Sequence, residues 1–460
     1  NHRPDPQTST SWVDGIAGAQ ELQARLDGGF FLDDLTDRLF PSLASGVRWG
    51  LERTEKALKS LGDPHRSYRT IHVGGTNGKG SVTSTLAAVL ETAGFRTGCY
   101  TSPHLCSFRE RIRVAGNPLT QDRMLGLAEE LMNVPEICGL TFFEAATVLG
   151  LYAFEREDVE VAVIEVGLGG RLDATNVISP EITAITNVAL DHSDYLGNSL
   201  IGIAREKLGI VKPGIPLVTT ESDKGLLEIF REVTRDIGSP CLKATEPTPD
   251  RIGVSPDRTC FTLETNAWGQ IEIETPLVGR HQATNAALAV EMLQHMPEDL
   301  RPELEILRAG IATVEHHGRN QIEVIDGRVW FFDVAHNVAG MDSLIDTIDS
   351  LDLPRPLVAL VGVLGDKDWR SMLSPLLSRM DSALLTQPPS APLDRCWKTE
   401  DAFQTLEKIA QLRIEEDFEQ ALIQARSDAG QGTVLVTGSV HTVGSALKIL
   451  KREPLRGESC

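Results

Sequence analysis

The feature that most constrains the fold of this chain is a glycine-rich turn at residues 75–81, GTNGKGS. The apolar run Ile71-His72-Val73 precedes it, and residues 82–90 after it carry apolar side chains at helical spacing. A strand, a glycine-rich turn and a helix in this order are typical of a phosphate-binding loop. The glycines let successive backbone N–H groups point at an anion, and the helix N-terminus attracts negative charge. The stretch therefore predicts nucleotide binding.

The turn departs from the usual P-loop pattern at two positions. Val73 stands where a glycine is usual, and Gly80 stands where Ser or Thr directly follows the lysine. Lys79 is nevertheless in place to reach the outer phosphates, and the hydroxyl of Ser81 is in place to hold Mg²⁺. A glycine-rich turn without a ligand is the alternative interpretation of this stretch taken alone.

Apolar strands alternate with helical stretches on both sides of the turn. Thr97–Ser102 reads as a short strand, Val159–Ile164 as a strand that runs into Glu165, and Ile182–Val188 as one that ends near His192. This alternation predicts a doubly wound, mostly parallel sheet. Ligands bind beyond the carboxyl ends of such strands, so the phosphate loop, Ser102, Glu165 and His192 are expected to converge.

The pattern changes and then repeats in the second half of the chain. Residues 240–277 read as short alternating strands, and a helix is predicted from about Thr284 to Met296. A second α/β pattern follows, with strands that end at Asp333, before residues 365–368 and before residues 437–439. We predict a P-loop-containing domain at 1–314 and a smaller, Rossmann-like α/β domain at 315–460, with an active site in the cleft between them.

Composition limits the partners and the compartment. The net charge of −21 without a long basic run argues against binding to nucleic acid or to an anionic membrane. The seven cysteines are scattered and form no CxxC pair, which favours a reducing cytoplasm over a disulfide framework or a zinc site. No apolar run is long enough to span a bilayer. Residues 1–15 are polar and predicted to be a loose tail, and apolar residues recur at helical spacing over 22–61.

Taken together, these motifs resemble the folylpolyglutamate synthase/dihydrofolate synthase family of the Mur ligase superfamily. The matching blocks begin at Gly50-Leu51-Glu52-Arg53 and end at Gly438-Ser439, and so cover most of the chain. Between them lie residues 75–81, 100–105, 110–112, 141–144, 165–176, 190–192, 206–207, 279–282 with Asn285, 318–319 and 333–337.

The resemblance implies an ATP-dependent ligase that joins L-glutamate to dihydropteroate or to reduced folates through an acyl phosphate, working as a monomer. The ATP contacts that it implies are Thr76, Asn77, Gly78, Lys79, Gly80, Ser81, Asn285, Arg319 and Asp333. The implied pterin pocket is lined by Thr141, Phe142, Phe143, Glu144, Leu172, Asp173 and Ala174. Two Mg²⁺ ions are implied, with Ser102, Glu165 and His192 as ligands, and Lys79, Lys207 and His336 as catalytic residues.

Two of these assignments depend mainly on the resemblance. Imidazole is an unusual ligand for Mg²⁺, so the residues alone support His192 as a ligand less than the resemblance does. Lys207 by itself would be taken for a solvated helix lysine, no different from Lys212. The resemblance implies that Lys207 is carbamylated and helps to hold the second Mg²⁺.

The chain also departs from the family pattern at three places. His316-His317 stands where Trp-Pro is frequent, Val338 where a proline is usual, and Arg48-Trp49 where an acidic–apolar pair is common. Two alternatives remain at this point: a muramyl ligase acting on a UDP-linked substrate, and a nucleotide-gated binding protein without turnover. The motifs do not distinguish dihydrofolate synthase from folylpolyglutamate synthase activity.

Overall fold

The computed structural model describes residues 39–40, 48–408 and 411–455. The predicted tail at 1–15 and most of the helical pattern before residue 48 lie outside the described residues. The last helix of that pattern is present as α1, Glu52–Ser60. It begins just after Gly50-Leu51 and ends before Gly62-Asp63-Pro64.

An eight-stranded sheet forms the centre of the first part of the chain. Its strands are β1 Arg69–Gly74, β2 Thr97–Tyr100, β3 Ile112–Val114, β4 Asn117–Pro118, β5 Val161–Glu165, β6 Ile182–Ile185, β7 Leu217–Thr219 and β8 Cys241–Lys243. Their order is β4-β3-β2-β5-β1-β6-β7-β8. The six strands from β2 to β8 in that order are parallel, and only β3 and β4 at one edge are antiparallel. The predicted doubly wound, mostly parallel sheet is confirmed.

Helices cover both faces of this sheet. They are α2 Lys79–Thr92, α3 Gln121–Met132, α4 Phe142–Arg156, α5 Ser193–Leu196, α6 Leu200–Leu208, α7 Lys224–Ile237, α8 Arg280–Gln294 and α9 Leu304–Ala312. On one face, alternate residues of β1 and β5 pack against α2 and α8. On the other face, β2, β3 and β5 pack against α1, α3 and α4. Two buried faces explain why these strands read as continuous apolar runs.

A small antiparallel sheet lies over α8. Its strands are β9 Gly253–Ser255, β10 Arg258–Thr265 and β11 Gly269–Thr275, in the order β11-β10-β9. Phe261, Leu263, Ile271 and Ile273 point inward to the core shared with α8, while the residues between them are more exposed. These are the short alternating strands that the sequence predicts.

The second α/β unit is a six-stranded sheet. Its strands are β12 Gln321–Ile325, β13 Arg328–Asp333, β14 Leu357–Val361, β15 Ser382–Leu385, β16 Gln411–Ile414 and β17 Thr433–Thr437, ordered β12-β13-β17-β14-β15-β16. Its helices are α10 Val338–Ser350, α11 Trp369–Leu377, α12 Thr399–Leu406, α13 Phe418–Ala429 and α14 Val440–Ile449. One core lies under α10–α12 and another under α13 and α14. The boundary at 314/315 stays a prediction.

The register of the strands brings the predicted strand ends to one edge of the first sheet. Val73 of β1 lies opposite Glu165 of β5, and Gly74 lies opposite Ile185 of β6. The phosphate loop and Glu165 therefore leave the sheet side by side. Within the described residues, none of the helices is both long and apolar enough to cross a membrane, and none of the six cysteines is in a disulfide.

Candidate active site

The phosphate loop has the predicted strand–turn–helix form. β1 ends at Gly74, and α2 begins at Lys79, so the turn consists of residues 75–78. Gly75 and Gly78 both have positive φ, +135° and +83°. A Cβ at Gly75 would lie 1.8 Å from Thr186 Oγ1, and one at Gly78 would lie 2.3 Å from Asn285 Oδ1. Neither position accepts a side chain, because both the conformation and the space forbid it.

The segment after β6 braces this turn from one side. Asn187 accepts the N–H of Thr76 with its carbonyl (2.9 Å) and the N–H of Asn77 with Oδ1 (3.1 Å). Thr186 Oγ1 donates to the Asn77 carbonyl (2.6 Å). The prediction that the strand continues to Val188 is therefore wrong. β6 ends at Ile185. Thr186 still donates its N–H to Gly74 of β1 (3.0 Å), but Asn187 and Ala189 hydrogen bond to the loop instead of to a neighbouring strand.

The helix that carries Asn285 also differs from its prediction. It begins at Arg280, four residues before the predicted Thr284, and ends at Gln294. Gly279, with φ at +119°, precedes the first turn of α8. The helix therefore begins after this glycine and not at the later position that the apolar pattern predicts. The earlier start gives α8 the extra turn whose Gln282 accepts a hydrogen bond from Asn285 Nδ2 (2.9 Å). This bond fixes the Asn285 amide beside Gly78.

A cavity of about 160 Å³ lies over the phosphate loop, at the predicted edge of the sheet. Its walls contain every residue predicted to contact ATP or Mg²⁺ and every predicted catalytic residue. They are Thr76, Asn77, Gly78, Lys79, Gly80, Ser81, Asn285, Arg319 and Asp333, then Ser102, Glu165 and His192, and finally Lys207 and His336. Residues from both α/β units therefore meet in this nucleotide cavity, as the cleft model requires.

Glu165 supplies a buried carboxylate to the nucleotide cavity. It is 4% exposed, and its Oε2 accepts the backbone N–H of Ser102 (2.9 Å). Burial raises the pKa of this carboxyl above its ordinary value, against the opposing effect of the Lys79 ammonium. A divalent cation would compensate for the cost of keeping this carboxylate ionised away from water.

His192 lies at the start of α5 in a left-handed conformation, with φ at +52°. Burial lowers its pKa to about 4, so the imidazole is neutral at pH 7 and offers a lone pair. No group of three or more His, Cys, Asp or Glu side chains among the described residues is arranged to hold a metal by itself. Mg²⁺ usually combines one or two carboxylates with phosphate oxygens and water, and Glu165 supplies one such carboxylate.

Lys207 is not the solvated helix lysine that its local pattern suggests. It is 3% exposed on α6, and its Nζ donates to the carbonyl of Gly75 (2.7 Å). Burial and the nearby Lys79 lower its pKa to about 7. Lys212, by contrast, is only half-buried and donates to the carbonyl of Asn176 (2.9 Å), away from the loop. The fold separates two lysines that sequence alone left equivalent.

Three residues from the second α/β unit face the phosphate loop. Asp333, at the end of β13, accepts the N–H groups of Asn320 and Ala335, both at 2.8 Å. Its burial raises the pKa of the carboxyl, and the Arg319 guanidinium opposes this shift. His336 Nδ1 lies 2.8 Å from the carbonyl of Val334 and is oriented by it. Backbone hydrogen bonds therefore hold the Asp333 carboxylate and the His336 imidazole in place.

Sequence reasoning missed Asp191 and Lys367 as members of the site. Lys367 Nζ lies 2.6 Å from Asp191 Oδ1, and both side chains are less than a tenth exposed. Asp191 Oδ2 also accepts from Asn337 Nδ2 (2.9 Å) and lies 3.4 Å from His336 Nε2. One carboxylate of the first α/β unit thus meets three polar side chains of the second. Against the effect of burial, His336, His192 and Lys367 hold the pKa of Asp191 well below its ordinary value. The sequence signal for Lys367 was its place in the polar run at residues 365–368, which follows β14.

A second, larger cavity of about 1100 Å³ adjoins the first. Its walls include all seven residues of the predicted pterin pocket, Thr141, Phe142, Phe143, Glu144, Leu172, Asp173 and Ala174. Several of the polar side chains in this pocket already bind other groups of the protein. Thr141 and Glu144 form a capping box at the start of α4, and Arg53 also binds Glu144 (2.7 Å). Asp173 accepts the N–H groups of Leu168 (2.8 Å) and Thr175 (3.0 Å).

Arg111 also lines this cavity. It belongs to the motif at residues 110–112, but the sequence predicts no role for it. It is buried, and its guanidinium lies 5.4 Å from the ring centroid of Phe142. Arg111 Nε donates to His104 Nδ1 (2.8 Å), so the cation is held between an aromatic face and an imidazole. The walls of the large cavity and the nucleotide cavity share six residues, Ser102, Pro103, Gly167, Leu168, His192 and His336. They therefore meet where the phosphate loop faces the second unit.

Comparison with known families places this architecture among the Mur ligases. Residues 73–293 match the Mur ligase middle domain, and residues 318–440 match the Mur ligase, glutamate ligase domain. Folylpolyglutamate synthase of Lacticaseibacillus casei is 31% identical over 413 residues, covering 85% of this chain and 92% of that relative. The chain belongs to the folylpolyglutamate synthase/dihydrofolate synthase family.

Solved structures of this family agree over nearly the whole chain. Mycobacterium tuberculosis folylpolyglutamate synthase complexed with ADP has a TM-score of 0.81 at 30% identity and covers 95% of this chain and 99% of its own. Escherichia coli FolC in complex with DHPP and ADP has a TM-score of 0.79 at 30% identity, with coverages of 90% and 96%. The family and the enzyme class predicted from the motifs, an ATP-dependent carbon–nitrogen ligase, are confirmed.

These relatives also decide between the alternatives. The two family models describe Mur ligases in general, whereas the full-length relatives are folate ligases by name. The muramyl-ligase alternative therefore loses its support. Membership of the folylpolyglutamate synthase family leaves the roles of individual site residues, the number of Mg²⁺ ions and the carbamate on Lys207 as predictions.

Proposed function

We propose that this protein joins L-glutamate to dihydropteroate, or to the glutamate tail of a reduced folate, at the expense of ATP. The observation that carries this proposal is the junction of the two cavities at Ser102, His192 and His336. A nucleotide over the phosphate loop would have its outer phosphate at that junction. A folate held in the large cavity would bring its carboxylate to the same place, so the two reacting groups meet.

The activation step follows from the chemistry of amides. A carboxylate oxygen of the folate substrate attacks the γ-phosphorus of ATP, and ADP leaves, which gives an acyl phosphate. The amino group of L-glutamate then attacks the acyl carbon, phosphate leaves, and a proton is released from the nitrogen. Lys79, the lysine that opens α2, is placed to neutralise charge on the phosphoryl group during transfer.

The nucleotide cavity also suits Mg²⁺ and a modified lysine. Ser102, Glu165 and His192 would hold one Mg²⁺, whose chemistry is to neutralise phosphate oxygens. Lys207 would carry a carbamate, since its pKa of about 7 leaves a large neutral fraction to react with CO₂. Carbamylation turns a cation beside Lys79 into an anion with oxygen donors, which a second Mg²⁺ prefers.

The second α/β unit would both bind the nucleotide and exclude water. Arg319 and Asp333 lie across the cavity from the phosphate loop. Asn337 pairs with Asn77 of the loop by two amide hydrogen bonds of 3.0 and 3.3 Å. Together with Asp191 and Lys367, these contacts close the cleft over the position of the acyl phosphate, which water would otherwise hydrolyse. We further propose that the enzyme acts as a monomer in the cytoplasm.

The test is ATP-dependent incorporation of labelled L-glutamate, with dihydropteroate and tetrahydrofolate compared as acceptors. Incorporation into one acceptor or both identifies the activity as synthase, polyglutamate extension or both. ADP release should require both the acceptor and glutamate. Release of ADP without incorporation, or no turnover with either acceptor, would contradict the proposal. Sedimentation of the active enzyme tests the monomer.

A further inference from the structure

His316 lies at a contact between the two α/β units that the reaction scheme does not use. It follows α9 and lies three residues before Arg319. Arg319 Nε donates to His316 Nε2 at 3.3 Å, and His316 Nδ1 lies 3.5 Å from Ser84 Oγ on α2. The imidazole therefore bridges the helix of the phosphate loop and the arginine proposed to contact ATP.

The hydrogen bonds determine the protonation state of this ring. Because Nε2 accepts from Arg319, the proton of a neutral imidazole is on Nδ1, where it faces Ser84. Burial, together with the guanidinium groups of Arg319 and Arg113, keeps the pKa of His316 well below its ordinary value. Arg113 Nη2 donates to the same Ser84 Oγ (2.8 Å). A neutral, uncharged acceptor thus separates two arginines that would otherwise repel each other.

The phosphate loop leaves space for this ring at Gly80. A Cβ at Gly80 would lie 2.7 Å from His316 Nε2 and 2.8 Å from Cε1. Gly80 is the position at which the usual P-loop pattern has Ser or Thr. In this chain the first turn of α2 lacks a side chain there, and the imidazole of the second unit occupies the space. The departure from the usual pattern therefore has a packing reason.

We propose that His316 is a positioning residue for ATP: it holds the guanidinium of Arg319 against the phosphate loop. The inference rests on the proposed role of Arg319 at the nucleotide. Within the described residues, Arg319 hydrogen bonds through Nε only, so its terminal nitrogens remain to meet an anion. With Nε fixed, fewer conformations of the guanidinium compete with the one that faces the phosphates, which strengthens binding without adding a contact.

The test is a kinetic comparison of His316→Ala with His317→Ala. Within the described residues, His317 makes no side-chain hydrogen bond to Arg319 or to α2. We expect His316→Ala to raise the KM for ATP by about tenfold and to leave the KM for the folate acceptor within twofold, because one hydrogen bond to a charged group is lost. His317→Ala should retain the parent values. Equal KM values for ATP in both variants would overturn the proposal.

A double-variant cycle shows whether His316 acts through Arg319. If it does, His316→Ala adds no further loss of ATP affinity in an Arg319→Ala background. Additive losses would overturn the positioning role. His316→Gln, whose amide oxygen can accept from Arg319, should recover part of the affinity. If His316→Ala does not fold, His316→Gln replaces it in the test. The unfolding midpoint of His316→Gln is then compared with that of His317→Ala.

The same set separates this inference from the proposed function. A parent-like KM for ATP in Arg319→Ala alone would contradict the nucleotide role of Arg319 itself. A weakened Arg319→Ala beside a parent-like His316→Ala would leave that role intact and overturn only the positioning of Arg319. Calorimetric titration with a non-hydrolysable ATP analogue gives the same comparison without turnover.

Discussion

The nucleotide cavity and the large cavity use their polar side chains differently. In the nucleotide cavity, Lys79, Glu165 and Lys207 line the walls, and each makes a hydrogen bond to a backbone group, which leaves charge for a ligand. In the large cavity, Thr141 and Glu144 are used to cap a helix, and Asp173 holds a turn. Around these residues of the predicted pterin pocket, aromatic faces and the buried Arg111 are what remain for a substrate. The comparison indicates that charge is available for catalysis in the nucleotide cavity and that shape governs recognition in the predicted pterin pocket.

The largest effect that this comparison predicts is at the phosphate loop. Lys79→Ala removes the cation at the start of α2 and should lower turnover by about a hundredfold or more, or ~3 kcal/mol of transition-state stabilisation. Incorporation of labelled glutamate measures it. Lys224→Ala, an exposed lysine at the start of α7, is the matched control and should behave like the parent. Near-parent turnover of Lys79→Ala would refute the phosphate-loop assignment.

Lys207 gives the next largest effect and the clearest chemical test. Lys207→Ala should lose about 10- to 100-fold in activity, the usual range for a residue that supports a metal site, and added acetate should restore part of it. Lys212→Ala, five residues on, should behave like the parent. High-resolution density for an unmodified lysine in a Mg²⁺–nucleotide complex would exclude the carbamate. Full activity in Lys207→Ala would remove the residue from the mechanism.

The carbamate on Lys207 should also depend on pH in a defined direction. CO₂ reacts with the neutral amine, which is about half of the population at pH 7 if the pKa is about 7, against roughly one part in 3000 for an exposed lysine. Without bound nucleotide or metal, the ¹³C signal of a carbamate formed from ¹³C-bicarbonate should therefore rise from pH 6 to pH 8. It should be absent in Lys207→Arg. A signal that does not change across this range would contradict the shifted pKa.

The ion pair across the cleft should have an intermediate effect. Lys367→Met leaves the buried Asp191 carboxylate without its ammonium partner. Removing one partner of a buried pair lowers the free energy of unfolding by about 3–5 kcal/mol when no other group compensates. Asp191 keeps Asn337 and His336 as neighbours, so we expect a smaller loss, about tenfold in turnover. Arg355→Met, which breaks the exposed pair with Asp381, is the control. Equal turnover in the two variants would show that the buried pair does not hold the cleft.

The smallest effects should distinguish shape from capping in the large cavity. The ring of Phe143 packs against Gly167, where a Cβ would lie 2.1 Å from it. Phe143→Ala should raise the KM for the folate acceptor severalfold and leave the KM for ATP unchanged.

Thr141→Ala removes a helix cap and should lower the free energy of unfolding by about 1 kcal/mol with little change in either KM. A raised KM for the folate acceptor in Thr141→Ala, with an unchanged free energy of unfolding, would mean that Thr141 binds substrate.

Much of this site was accessible from the sequence because its residues follow strands. Parallel strands bring their carboxyl ends to one edge, so Ser102, Glu165 and His192 were expected together once the strands had been recognised. The boundaries of the elements were less accurate. β6 ended early because its continuation braces the phosphate loop, and α8 began early because Gly279 breaks the chain there. Both errors arise from contacts with distant parts of the chain.

Local spacing and strand order encode the phosphate loop, the two α/β patterns and the family, so these could be predicted from the residues. Three features depend on the folded chain: which of two lysines is buried, which carboxylate joins the two units, and what fills the space at Gly80. Burial changes the pKa of Lys207, and proximity pairs Asp191 with Lys367 across 176 residues. Desolvation and long-range contacts depend on where the chain lies in space, and no local pattern of residues specifies that.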